Sequence, residues 1–102
     1  MTKGKIEYIA EGVKWLDKVN GNTYHSARVT RCADGAQIVA PFQYGYGDSY
    51  RHSALSLMIA RGWLPAKYNK NNIYAFEREN NYPIYWTVEH TTKRACKANG
   101  EA

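Results

Sequence analysis

The chain has 102 residues, two cysteines and a formal net charge of +5. A domain of this size buries roughly 60–68% of its unfolded surface, which is enough for one core without disulfide or metal staples. No apolar stretch approaches the ~18 residues of a membrane span, and the N-terminal residues lack the apolar region of a signal peptide. We therefore expect one domain, a cytoplasmic location and no contact with a membrane.

The first two strands are predicted from alternation around an Asn-Gly turn. Apolar and polar residues alternate over 13–19, and Asn20-Gly21-Asn22 is a strong hairpin signal. A two-residue loop would set Val13 opposite Arg28. A three-residue loop gives pairs on one face: Val13 with Val29, Trp15 with Ala27, and Asp17 with His25. Burial favours the three-residue loop, because a one-residue slip moves every side chain to the other face.

The second turn predicts a third strand that agrees with this register. A two-residue Asp34-Gly35 turn sets Ile38 opposite Arg31. The meander then has one apolar face: Val13, Trp15, Ala27, Val29, Ile38, Ala40 and Phe42.

The segment after the meander predicts a helix and then a second hairpin. Asp48 or Ser49 can cap the helix, and Gly62 can end it. The apolar stripe is Ala54, Leu55, Leu57, Met58 and Ile59. Asn80-Asn81 predicts a turn between strands at 73–79 and 82–92, with Ile73 opposite Val88. The expected fold class is α+β in the order β-β-β-α-β-β: one domain over 1–92, followed by a flexible basic tail over 93–102.

The outward side chains predicted by this fold mix aromatic rings with cations. Such surfaces suit single-stranded nucleic acid, because bases stack on rings and phosphates meet cations, and they also suit protein hot spots. The candidate protein-binding residues, from the glycine loop and second hairpin, are Tyr44, Tyr46, Tyr74, Phe76, Arg78 and Tyr85. The candidate nucleic-acid-binding residues are Lys14, Lys18, Tyr24, Arg28, Lys93, Arg94 and Lys97. The alternative is that the rings support the sheet and the lysines form a solvated face.

Only one pair of residues suggests catalysis. Asp17 opposite His25 could orient a general base, although the same pair would satisfy two polar groups at the end of a sheet. Cys32 and Cys96 are too few for a disulfide framework, and the three histidines lack metal-ligand spacing. We therefore expect a protein that is not an enzyme and binds no metal or cofactor, with a small hydrolase using Asp17 and His25 as a remote alternative.

Three segments, 15–18, 21–29 and 41–48, resemble small uncharacterised proteins encoded by bacteriophages and prophages. The distinctive parts are Gly-Asn-Thr-Tyr-His and Tyr-Gly-Tyr-Gly-Asp, and the resemblance covers roughly the first half of the chain. It implies a non-enzymatic binding protein in the cytoplasm of a bacterial host. Its partner would be a host protein or nucleoprotein complex, including restriction and CRISPR machinery, so that the protein would act as an anti-defence inhibitor.

The predicted layout also suggests direct nucleic-acid binding. Three antiparallel strands followed by a helix resemble the AP2-type and integrase amino-terminal DNA-binding domains, which place the sheet in the major groove. Lys14, Lys18, Tyr24 and Arg28 would then form the reading face, although layout alone is analogy. An exposed edge strand and surface tyrosines would permit a dimer without specifying one.

Overall fold

A mixed sheet with helices on both faces forms the protein. The computed structural model describes residues 5–68 and 73–101, and these form four strands and three helices. The strands are β1 (Tyr8–Asp17), β2 (Asn22–Arg31), β3 (Gln37–Tyr44) and β4 (Ile84–His90), and the helices are α1 (Ser49–Ala60), α2 (Ala75–Glu79) and α3 (Lys93–Asn99). The sheet order is β3-β2-β1-β4, with β4 parallel to β1 and the other pairs antiparallel. The α+β class is therefore confirmed, whereas the predicted order β-β-β-α-β-β is wrong.

The register of the first hairpin differs from the predicted one. Val13 lies opposite Ser26, Trp15 opposite Tyr24, and Asp17 opposite Asn22. The loop spans 18–21, and Gly21 closes it with a φ of 72° and an N–H bond to the Asp17 carbonyl. The observed pairing differs from the predicted one by three residues, an odd number, so Val13 and Trp15 lie on the sheet face opposite Ala27 and Val29. Burial misled the prediction because helices cover parts of both faces, so that both carry apolar residues.

The second hairpin pair, β2 with β3, keeps the predicted faces but slips by two residues. Val29 lies opposite Ile38 and Ala27 opposite Ala40, so these four residues share one face as predicted. A bulge between His25 and Ala27 then shifts the register. Beyond it, Phe42 lies on the opposite face, which corrects its predicted place beside Ala40.

The main core lies between the sheet and α1, on what we call the α1 face. Leu55 and Met58 of α1 are fully buried and pack with Ala10, Val29 and Ile38 of the sheet, among other residues. Gly12 of β1 allows the close approach of the Tyr50 ring, since a Cβ there would lie 2.9 Å from Tyr50 Cε2. The helix ends as predicted: Gly62 has a φ of 75°, its N–H bonds the Ile59 carbonyl, and Trp63 N–H bonds the Met58 carbonyl. Asp48 occupies the N-cap position, but its side chain accepts no bond from the helix.

The predicted second β-hairpin is wrong. Ala75, Phe76 and Glu77 are buried in succession within α2, a pattern that a strand with one solvent face does not produce. Asn80-Asn81 ends this short helix instead of joining two strands, and the chain then passes through Pro83, whose carbonyl accepts from Tyr8 N–H. β4 joins β1 in parallel because the long segment 45–83 returns the chain to the other edge of the sheet.

A helix replaces most of the predicted flexible tail. Thr92 caps α3, its Oγ1 accepting from Ala95 N–H at 3.2 Å. Cys96 is fully buried, and its carbonyl accepts from Ser26 Oγ at 2.6 Å. A helix of seven residues gives too short a run for periodicity to reveal it, and tertiary packing on the sheet stabilises it. We call the sheet surface that it covers the α3 face.

No helix within 5–68 or 73–101 has both the length and the apolar character needed to cross a membrane.

Candidate nucleic-acid interface

Four aromatic rings come together on the α3 face near the first hairpin loop. The Tyr24 ring is central: its centroid lies 5.6 Å from that of Trp15 and 5.1 Å from that of Phe42, with the Tyr24 and Phe42 planes only 8° apart. Tyr44 meets Tyr24 edge to face at 5.8 Å. Trp15, Tyr24 and Phe42 are half-buried, whereas Tyr44 is 59% exposed. The cluster therefore presents ring surface to solvent.

The sheet register explains why these rings meet. Trp15 and Tyr24 are direct cross-strand partners, and the bulge in β2 and β3 turns Phe42 toward them. Tyr44 is the partner of Tyr24 beyond the bulge. A one-residue change in either pairing would disperse the cluster, because it would move rings to the α1 face.

Two lysines of α3 lie over the rings. Lys93 Nζ is 5.4 Å from the centroid of Trp15, and Lys97 Nζ is 5.6 Å from that of Phe42. Their spacing of four residues places both on one side of the helix. The hydrogen bond from Ser26 Oγ to the Cys96 carbonyl holds α3 against the sheet beside the rings. We call Trp15, Tyr24, Phe42, Tyr44, Lys93 and Lys97 the aromatic–lysine surface.

A cavity of about 540 Å³ adjoins this surface at Trp15. It lies where β1 and the end of β4 meet, and it is lined by Lys14, Trp15, Leu16, Lys18, His90, Thr91 and Thr92. Its cations and hydroxyl groups can bond the oxygens of an anion. The positive surface thus extends from α3 to the first hairpin loop.

The carboxylate of Asp17, at the end of β1, is engaged by its own loop. Asp17 Oδ1 accepts from the N–H groups of Val19 and Asn20, and Oδ2 accepts from Asn20 Nδ2 at 2.9 Å. The Asn20 side-chain bond is the main reason that the pKa of Asp17 lies below its ordinary value. Asp17 is therefore ionised at neutral pH, with its oxygens directed at loop amides.

The structure brings together most of the predicted nucleic-acid-binding residues. Tyr24, Lys93 and Lys97 belong to the aromatic–lysine surface, and Lys18 lines the adjoining cavity. Lys14 also lines the cavity, but its Nζ lies 5.2 Å from the centroid of the Tyr50 ring on the α1 face. Arg94 is exposed on α3. Arg28 lies on the same face but bonds Gln37 Oε1 and the Glu101 carbonyl, so it is engaged by its own chain. The sheet face cannot enter a groove as in the AP2 layout, because α3 lies across it at Val13 and Ser26.

The predicted protein-binding residues do not form one surface. Phe76 is only 7% exposed and packs edge to face on Tyr68, so it belongs to the core. Tyr74 directly precedes α2, Arg78 lies on α2, and Tyr85 lies on β4. Tyr44 and Tyr46 remain neighbours and are both well exposed. The aromatic hairpin that was to unite the set is absent from the described residues.

The predicted pairing of Asp17 with His25 is wrong. Asp17 lies on the α3 face and bonds its loop, whereas His25 is buried on the α1 face beside Ser53. The hydrolase alternative therefore loses the carboxylate on which it depended.

Sequence reasoning missed Trp15 and Phe42, which it assigned to the core. A signal for Trp15 was present: Asp17 and Asn20 are typical of a side-chain-capped turn that begins at Asp17. Starting the loop there places Trp15 opposite Tyr24. No comparable signal marks the bulge that turns Phe42, since it depends on how β3 meets β2.

Comparisons of the chain with protein-family models, with curated proteins and with solved structures found no match. The resemblance to phage proteins stays a prediction. Within the described ranges, no three or more His, Cys, Asp or Glu side chains are grouped so that they could hold a metal ion.

Proposed function

We propose that the protein binds single-stranded nucleic acid through the aromatic–lysine surface and the adjoining cavity. The observation that carries the proposal is a cluster of four aromatic side chains with a lysine over two of its rings. Lys93 lies over Trp15 and Lys97 lies over Phe42. A planar base can stack on an exposed ring while its phosphates meet the lysines. The net charge of +5 adds a general attraction for a polyanion.

Single strands fit this surface better than a duplex does. Stacking on a side chain requires bases whose faces are free, which a duplex does not offer. α3 also covers the sheet face at Val13 and Ser26, and this is the face that would have to enter a major groove. Tyr44 supplies the most exposed ring of the cluster, and the cavity lined by Lys18 adjoins the cluster at Trp15. A strand of several nucleotides could follow this line of rings and cations.

The test is fluorescence anisotropy with a labelled oligo-dT of roughly 12 nucleotides and the matching duplex. We expect the single strand to bind more tightly than the duplex and to weaken as salt rises from ~50 to ~200 mM. The variant K93Q/K97Q should bind more weakly and lower the salt slope by about 1.4, since each phosphate contact on a single strand contributes ~0.7. The control K5Q/K67Q removes the same charge elsewhere, so equal losses in both variants would contradict the proposal.

Tyr44→Ala tests the stacking part separately. Loss of one stacked base should weaken binding by ~1–3 kcal/mol, or roughly 5- to 150-fold. Tyr85→Ala is a matched control, because Tyr85 is 56% exposed, against 59% for Tyr44, and lies outside the cluster. Equal effects of the two substitutions would argue against stacking on this surface.

A protein partner is the competing outcome. A tagged pull-down from bacterial lysate, with and without nuclease, separates the two cases. Nucleic acid that is lost on digestion supports the proposal. A single host protein retained after digestion, and released by Tyr44→Ala, would overturn it in favour of the predicted inhibitor of a host protein.

A further inference from the structure

A second site lies on the opposite face of the sheet, where β2 meets α1. His25 is 1% exposed. Its Nε2 lies 2.8 Å from Ser53 Oγ, and its Nδ1 lies 3.1 Å from the Gly45 carbonyl oxygen. Gly45 is required for this approach, because a Cβ there would lie 2.6 Å from His25 Cε1. Neither His25 nor Ser53 belongs to the aromatic–lysine surface.

The partners of the imidazole determine where its proton lies. The Gly45 carbonyl can only accept, so Nδ1 carries the hydrogen and donates it. Nε2 is then an acceptor, and Ser53 O–H donates to it at 2.8 Å. Among the described residues, Ser53 Oγ has one further hydrogen bond, to Gln43 Oε1 at the longer distance of 3.4 Å. The serine proton is therefore directed at the histidine.

The surroundings favour the neutral imidazole that such an acceptor requires. Burial is the main cause that lowers the pKa of His25 below its ordinary value, and the charge of Lys14 on the neighbouring strand adds to it. The hydrogen bond to Gly45 raises the pKa of His25, but by less than burial lowers it. At neutral pH the imidazole can accept a proton from Ser53.

Ser53 also faces a cavity. It lines an opening of about 380 Å³ together with Gln43, His52, Ser56 and several small or apolar residues. A volume of this size is at the lower end of the range for small-molecule sites. Apolar walls with a few polar groups suit a small ester whose acyl part is apolar.

We propose that Ser53 is a nucleophile, activated by His25, that reacts with small esters entering this cavity. The arrangement has the two features of an activated serine: a base within hydrogen-bond distance, and a third group that orients the base. Ser53 Oγ forms a bond to the ester carbonyl carbon while its proton passes to His25 Nε2. The C–O bond to the alcohol then breaks, and the alkoxide takes that proton. Water then attacks the acyl carbon while His25 Nε2 takes its proton. The bond from that carbon to Ser53 Oγ breaks, Oγ takes the proton back from Nε2, and the carboxylic acid leaves.

The experiment is covalent labelling of the full chain with a fluorophosphonate, followed by peptide mass spectrometry. Ser53 Oγ would form a bond to phosphorus and fluoride would leave. We expect one adduct, on the peptide that contains Ser53, and its loss in Ser53→Ala. Ser56→Ala is the matched control, because Ser56 lines the same cavity on the same helix. Absence of the adduct from the native chain, or equal labelling of Ser53 and Ser56, would overturn the proposal.

The role of His25 needs its own measurement, since His25→Gln could disturb the core. The variants Ser53→Cys and Ser56→Cys keep His25 and place a thiol at each position. If His25 accepts the proton, iodoacetamide should modify the Ser53→Cys thiol faster at neutral pH, by about 10²-fold, a typical contribution of a positioned base. Equal rates of modification would show that His25 does not activate this position, which would overturn the proposal.

Discussion

The two faces of the sheet differ in how completely a helix covers them. On the α1 face, a helix of 12 residues seals a core in which Ala54, Leu55 and Met58 are fully buried. On the α3 face, a helix of seven residues covers Val13 and Ser26 but leaves the neighbouring rings half-buried. The longer helix completes a core, whereas the shorter one covers only part of its face and leaves the neighbouring rings partly exposed.

The chemistry of the two faces follows this difference. His25 on the α1 face is enclosed and finds its partners, Ser53 and Gly45, within the protein. Lys93 and Lys97 on the α3 face are exposed to solvent, and their ammonium groups lie over rings. The proposed Ser53 site therefore lies on the face with the sealed core, and the proposed nucleic-acid site lies on the more open α3 face.

The largest expected effect is a loss of stability on substitution in the core of the α1 face. Leu55→Ala should lower the free energy of unfolding by ~2–5 kcal/mol, because it leaves a cavity in the sealed core. Leu57→Ala is the control on the same helix, since Leu57 is only partly buried, and it should cost less. Urea unfolding measures both. A loss in Leu55→Ala no greater than in Leu57→Ala would show that the α1 face is not the sealed core.

A smaller effect is expected at α3. Thr92→Ala removes the side-chain cap and should cost ~0.5–2 kcal/mol. Because α3 is short, the loss should appear first as faster amide hydrogen exchange at 93–99, with little change in β1. Thr91→Ala is the control, since the backbone bond from Thr91 N–H to the Lys14 carbonyl is kept. Equal acceleration in β1 and α3 would show that both faces unfold together.

The smallest effect is expected at the turn between β2 and β3, outside both faces. Arg31 donates to both oxygens of Asp34 at 3.0 and 2.8 Å, and these bonds are the main reason that the pKa of Asp34 falls from 3.8 to about 2. A carboxyl group whose pKa is lowered by folding stabilises the folded state at pH values above its ordinary pKa. That contribution is lost as the pH falls toward 2. Asp34→Asn should therefore differ slightly from the native chain at neutral pH and converge with it in acid.

This contribution is small because both side chains are solvated, so that water screens the pair. Thermal unfolding between pH 5 and pH 2 in both proteins provides the test (a window chosen to bracket both pKa values). If the difference in stability between Asp34→Asn and the native chain widened as the pH fell, the predicted direction would be wrong.

Much of the α1 face could be predicted from local patterns. The run of apolar residues at Ala54, Leu55 and Met58, and the Gly62 stop, depend only on neighbouring residues in one helix. Ile38 and Ala40 also fell on the predicted face, since a slip of two residues keeps the side-chain direction. The site residues were recognised by type but not by grouping: Tyr24, Lys93 and Lys97 were named without Trp15 or Phe42.

The sequence by itself determined the α+β class, the first three strands, α1 and the basic, tyrosine-rich character of the surface. These follow from spacing within short segments, where each residue acts through near neighbours. Only the tertiary structure decided which residues of β1 and β2 pair, where the bulge turns Phe42, how β4 pairs in parallel with β1, and where α3 docks. Each of these depends on contacts between residues far apart in the chain, such as Ser26 with Cys96, and burial on two faces removes the single-face pattern from which register can be read.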